Sequence, residues 1–193
     1  MKAAGTALSH VFPLGTRVNE RGHLEIGGCD AIELAQEFGT PAYVVAEDDL
    51  RARARAFVDE LASRHRDFDV LFASKAFPCT AVYRVLAQEG LACDVASGGE
   101  LALALRGGFD SARIYFHGNA KSMRELREAL TAGVGHIVLD SFDEFDRLEQ
   151  VAAEFDRSQP VLIRVTPGVA GDTHHAISTE KPNFELAWPV EIA

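Results

Sequence analysis

VLFASKAFPCTAVYRVLAQEGLACDVASGGELALALRGGFDSARIYFH, residues 70–117, holds three short apolar runs separated by two segments of helical period. The runs are VLFAS (70–74), ACDVA (92–96) and RIYFH (113–117), and HIVLD (136–140) and VLIRV (161–165) follow downstream. Their central residues, Phe72, Asp94, Tyr115, Val138 and Ile163, recur every 21–25 positions. Short strands with continuous apolar cores, each followed by a helix, predict parallel strands buried on both faces. No G-x-G-x-x-G follows any run to mark a dinucleotide crevice, so the even rhythm favours a (β/α)8 barrel over an open doubly wound sheet. The expected fold is α/β, of TIM-barrel type, represented by about five βα units.

The intervening segments carry their own start signals. Ser97 precedes GGELALAL, Ser122 precedes MRELREAL and Ser141 precedes FDEFDRLEQ; Glu125 and Glu144 then stand at capping-box spacing. Phe142, Phe145, Leu148, Val151, Ala152 and Phe155 make the clearest apolar stripe, predicted to face the core. Upstream, GHLEIGG (22–28) reads as a short strand, and Asp30 caps a helix that runs through Phe38 and stops at Gly39. AYVVA (42–46) reads as a strand, and residues 47–66 as a helix with Leu50, Ala54, Phe57, Val58 and Leu61 on one face.

Composition narrows the function classes. Among 193 residues, 29 acidic against 19 basic side chains give a net charge of −10, which disfavours non-specific binding to nucleic acid or to an anionic membrane. No run approaches 18 apolar residues, so no membrane-spanning helix is expected. MKAAGTALSHVFPLG makes a poor signal peptide, and three scattered cysteines (Cys29, Cys79, Cys93) make neither a disulfide framework nor a zinc site. A reducing cytoplasm is the expected compartment.

In parallel α/β architectures ligands meet the C-terminal ends of the strands, so the polar residues there are the candidates. Lys75 closes the first run. Projecting into a confined mouth, its amine would be desolvated and nucleophilic toward a carbonyl, the chemistry of Schiff bases; alternatively it snorkels to solvent at a strand end. Asp94 lies within a strand, where an unpaired carboxylate is expensive, and Lys75 or Arg164 would serve as its partner. Glu100 falls in the first turn of a helix, where negative charge is favoured in any case. His117 and GNAKS lack the phosphate-loop signature and read as a turn leading to the Ser122 cap. His174 and His175 have no carboxylate partner at metal-binding spacing, so no metal site is expected, although one imidazole could stack on a planar ligand. Cys79 and Cys93 read as small buried hydrophobes.

Several segments, in order, resemble the N-terminal part of the diaminopimelate decarboxylase family, of the alanine-racemase-like barrel class. They are FGTPAYVV (38–45), FASKA (72–76), CDVASGGEL (93–101), FHGNAKS (116–122), LDSFDE (139–144) and IRVTPGV…THHAIS (163–178). The lysine motif alone would also fit alanine racemases, other basic amino-acid decarboxylases or small PLP-carrier proteins. The resemblance implies pyridoxal 5′-phosphate (PLP) as cofactor, with Lys75 forming the Schiff base and the His174 imidazole stacking on the ring. Asp94, Glu100 and Arg164 match polar positions around that ring. It implies decarboxylation of the amino acid meso-diaminopimelate to L-lysine, and a homodimer. It also implies a layout of a lead segment over residues 1–40, a partial PLP-binding barrel over 41–178 and a divergent tail over 179–193. The later strands, the phosphate loops and a C-terminal β domain of the family are not matched within these residues. A non-catalytic relic that at most binds PLP, or a carrier-like protein, is the alternative. Five strands of eight would leave two open parallel edges, predicting a marginal or self-associating chain.

Overall fold

The computed structural model describes residues 11–166 and the backbone of residues 188–189. Contacts divide the chain into two units, Met1–Phe68 and Asp69–Ala193.

In the first unit, β1 (Arg17–Val18), β2 (Leu24–Ile26) and β3 (Cys29–Asp30) form a small antiparallel sheet. Asp30 organises it. One carboxylate oxygen accepts from the Ile32 and Glu33 amides, capping α1 (Ala31–Phe38); the other meets Asn19, Arg21 and His23. Burial pushes this carboxyl up, but the hydrogen bonds from Asn19, His23 and the two amides outweigh it and hold the group well below the usual carboxylate range. Gly39 ends the helix as expected. Residues 42–46 differ from expectation: they join no ladder among the described residues, and Tyr43 is 97% exposed. Propensity alone makes no strand, because a strand needs a neighbour to take its hydrogen bonds. The helix α2 (Glu47–Ala62) is one turn shorter than read, with only Ala54 of its apolar face buried.

The second unit carries the predicted rhythm. The strands β4 (Leu71–Ala73), β5 (Ala92–Val95), β6 (Ile114–Phe116), β7 (His136–Leu139) and β8 (Val161–Ile163) form one parallel sheet in sequential order. Between them lie α3 (Thr80–Gln88), α4 (Gly98–Gly107), α5 (Met123–Ala132) and α6 (Phe142–Glu154). The strand order never reverses, so this sheet has no topological switch point and matches a section of barrel wall. A further pair, β9 (Val165–Thr166) with β10 (Trp188–Pro189), is parallel and separate.

Register explains the core. Cys93 pairs with Ile114, and Val95 with Phe116, which pairs in turn with Ile137. All five are fully buried. Tyr83 of α3 is the hinge of the packing, edge-on to Phe72 at 6.0 Å and to Phe109 at 5.9 Å. Gly107 lets α4 close onto it, since a Cβ there would sit 2.5 Å from the Tyr83 Cβ. The alternate residues Ala73, Asp94, Tyr115 and His136 share the other face. At its N-terminal end Asp69 accepts from Arg113 (2.6 Å) and from Tyr115 (2.9 Å), which stacks on His136.

Helix α6 corrects the predicted stripe. Leu148 and Val151 are buried, but Phe142, Phe145 and Phe155 are exposed, and Glu144 takes the inward position instead. The period was legible; the phase, which turns Glu144 inward to Lys121, was not.

Candidate active site

At the end of β4 the chain turns immediately into a single 3-10 turn, Ser74–Ala76. Ser74 goes under the sheet, fully buried, and donates to Glu100 Oε2. The same oxygen accepts from the Ala96 amide at 2.8 Å, so Glu100 ties the ends of β4 and β5 together from the helix side. Lys75, next in sequence, is exposed. The confined, desolvating mouth expected around it is therefore not built by the described residues, because the turn that buries Ser74 carries Lys75 out to solvent.

Asp94 lies between Ala73 and Tyr115 in register. Its expected partners were Lys75 or Arg164, and the structure gives neither. Asp94 Oδ1 lies 3.3 Å from His117 Nδ1, with side-chain exposures of 25% and 38%. That carboxylate oxygen is buried and outside hydrogen-bonding geometry, so the two groups lie side by side without a hydrogen bond. Arg164 turns instead to Asp140, Nη1 to Oδ2 at 3.7 Å. The Asp140 side chain is 2% exposed, and both its oxygens lack a hydrogen bond among the described residues. The physical reason is register: β7 and β8 pair Leu139 with Ile163, which sets Asp140 beside Arg164 and leaves Asp94 on β5, three strands away.

The loop after β6 holds what sequence reasoning missed. Lys121 is only 2% exposed, and its Nζ donates to the carbonyls of Gly118 (2.5 Å), Val138 (2.7 Å) and His117 (3.3 Å). With three protons spent on carbonyls, it meets the fully buried Glu144 carboxylate at 2.9 Å as a counter-charge. Glu144 Oε2 also accepts from the Asp140 amide at 2.9 Å. The expected capping box at Ser141 is thus half formed: Ser141 caps Glu144, but Glu144 turns to Lys121. At Ser122 the full box is present, and Glu125 reaches on to the Gly98 amide. The only hint in sequence was a lysine and a glutamate, each one turn from a strand end. His174 lies outside the described residues.

The structure thus brings Asp94 to His117, Arg164 to Asp140, and Glu100 to the turn bearing Lys75, all at the C-terminal ends of adjacent strands. The family model described as "Pyridoxal-dependent decarboxylase, pyridoxal binding domain" matches residues 47–185. The chain belongs to this family. Among the relatives of this chain are the diaminopimelate decarboxylases of Actinosynnema pretiosum subsp. auranticum and Bacillus subtilis (strain 168). They are 50% and 47% identical over 92% of the chain. The diaminopimelate decarboxylase of M. jannaschii, solved with L-lysine, superposes with a TM-score of 0.79 at 31% identity over 91% of the chain and 41% of its own length. That of Helicobacter pylori, also with L-lysine, gives 0.74 at 27% over 83% of the chain and 40% of its own length. The chain spans about 40% of the length of the curated relatives it matches. No helix among the described residues is long and apolar enough to cross a membrane.

Proposed function

We propose that this chain is the lysine-bearing part of a PLP-dependent decarboxylase that converts meso-diaminopimelate to L-lysine and carbon dioxide. The observation that carries this reading is Lys75 itself: an exposed primary amine at a strand's C-terminal end, within a domain of the pyridoxal-binding family. The name shared by the relatives supports the substrate.

The residues present suit the cofactor. An accessible amine can be joined to an aldehyde, a half-exposed guanidinium at Arg164 suits an anionic oxygen, and Asp94 Oδ1 is a buried acceptor with no hydrogen bond of its own. Lys75 would hold PLP covalently, with Arg164, Asp94, Glu100 and His174 as the surrounding polar set. When bound, PLP supplies the electron sink that stabilises the carbanion left by loss of carbon dioxide. Lys75 acts through the neutral form of its amine, which alone has the lone pair. Glu100 contributes by fixing Ser74 and hence the turn from which Lys75 projects. Asp140 holds the Arg164 guanidinium at the rim.

The test has two stages. The full chain is incubated with PLP, reduced with borohydride and mapped by mass spectrometry; label is expected on Lys75 and lost in Lys75→Ala. Carbon dioxide release from meso-diaminopimelate then separates turnover from cofactor capture alone. A folded chain without label at Lys75 refutes the cofactor reading. Label without carbon dioxide release favours the non-catalytic alternative.

A further inference from the structure

We propose that His117 is a ligand-contacting residue of this site, with Asp94 beside its Nδ1 and its Nε2 left for whatever is seated at Lys75. The inference rests on the cofactor reading above and adds to it a residue that the sequence placed in a turn.

Three independent features converge on the imidazole. First, its backbone is pinned: the His117 amide donates to the Val95 carbonyl at 2.7 Å, prolonging the β5–β6 ladder past the strand end. The following Gly118 has φ +94°, and a Cβ there would sit 2.5 Å from the Ala96 carbonyl oxygen, so the loop lies directly against the end of β5. Second, the buried Lys121 ammonium holds the His117 and Gly118 carbonyls, neutralised by the buried Glu144. A buried ion pair is a costly way to fasten a loop, and it is spent on the two residues that set the imidazole's position. Third, the ring meets Asp94 through Nδ1, and among the described residues Nε2 has no partner. The side chain is 38% exposed, at the strand ends where ligands of such folds bind. A carboxylate beside one ring nitrogen biases the ring's orientation and leaves the other nitrogen for a ligand.

Isosteric variants separate this from a purely structural role. An asparagine amide at position 117 overlays Nδ1 and a glutamine amide overlays Nε2. If the Asp94 tie is all that matters, His117→Asn should behave as wild type and His117→Gln should not. The proposal expects the reverse. His117→Asn should weaken PLP binding roughly three- to tenfold, the usual worth of one hydrogen bond, with His117→Gln closer to wild type. Both are measured by absorbance titration and by the fraction of Lys75 trapped with borohydride, with thermal melting confirming that each variant folds. Asn equal to wild type, or both variants equal to it, overturns the role of His117 while leaving the cofactor reading intact. A folded wild-type chain that traps no PLP overturns both.

Discussion

Replacing Lys121 by methionine removes an ammonium whose surroundings are fully specified. Glu144, with no exposure, would keep one donor, the Asp140 amide at 2.9 Å, and would lose its counter-charge. The carbonyls of His117, Gly118 and Val138 would lose their shared donor as well. Breaking a buried pair by deleting one partner costs about 3–5 kcal/mol, against a domain stability of about 5–15 kcal/mol. Glu144→Gln strands the Lys121 ammonium in turn, because with the amide oxygen accepting from Asp140 the NH2 takes the place of Oε1 beside Nζ; a comparable loss of about 3–5 kcal/mol is expected. The double variant Lys121→Met/Glu144→Leu should cost less than the sum of Lys121→Met and Glu144→Leu measured alone, since neither charge is then stranded. Urea unfolding followed by circular dichroism measures all of these. With a slope of about 2 kcal/mol per molar, Lys121→Met should lower the midpoint by about 2 M. A Lys121→Met midpoint within about 0.3 M of wild type at unchanged slope would refute the assignment of a buried, carbonyl-saturated ammonium.

Other outcomes follow from the same geometry. Gly118→Ala should destabilise by about 1–3 kcal/mol in the same urea assay, because φ +94° and the Ala96 carbonyl both oppose a Cβ; no effect would mean the loop is not seated on β5. Hydrogen bonds from the Ser122 and Gly98 amides hold the Glu125 carboxyl below its ordinary value of 4.5. Its contribution is therefore complete above that value and lost as pH falls through the lowered one, so Glu125→Gln should flatten the acid limb of stability against pH. Burial pushes the Cys93 thiol up to about 12, with Asp94 and Glu100 adding to the shift. In the native chain alkylation should therefore reach the exposed Cys29 first and Cys93 only on unfolding. Equal labelling rates by mass spectrometry would contradict that burial.

Much of the fold was legible because parallel strands buried on both faces leave a pattern that needs no partner information. VLFAS, ACDVA, RIYFH, HIVLD and VLIRV each contain an observed strand, and Ser97, Ser122 and Ser141 each cap the helix they precede. The failures share one cause, which is that local pattern does not say what a face will meet. AYVVA has strand composition but finds no ladder. The phenylalanines of α6 have core composition but stand exposed, while Glu144 points inward.

The site divides in the same way. Sequence alone determined which residues stand at or close to the strand ends, Lys75, Asp94, His117, Asp140 and Arg164, since that follows from the order of short strands along the chain. Only the tertiary structure decided who pairs with whom. Strand register set Arg164 beside Asp140 rather than Asp94, and the burial of Ser74 turned Lys75 outward. The ion pair of Lys121 with Glu144 joins residues 23 positions apart on two successive βα units. Such pairings depend on distances across strands, where Coulomb attraction and desolvation compete within a few ångströms, and no periodicity along the chain records them.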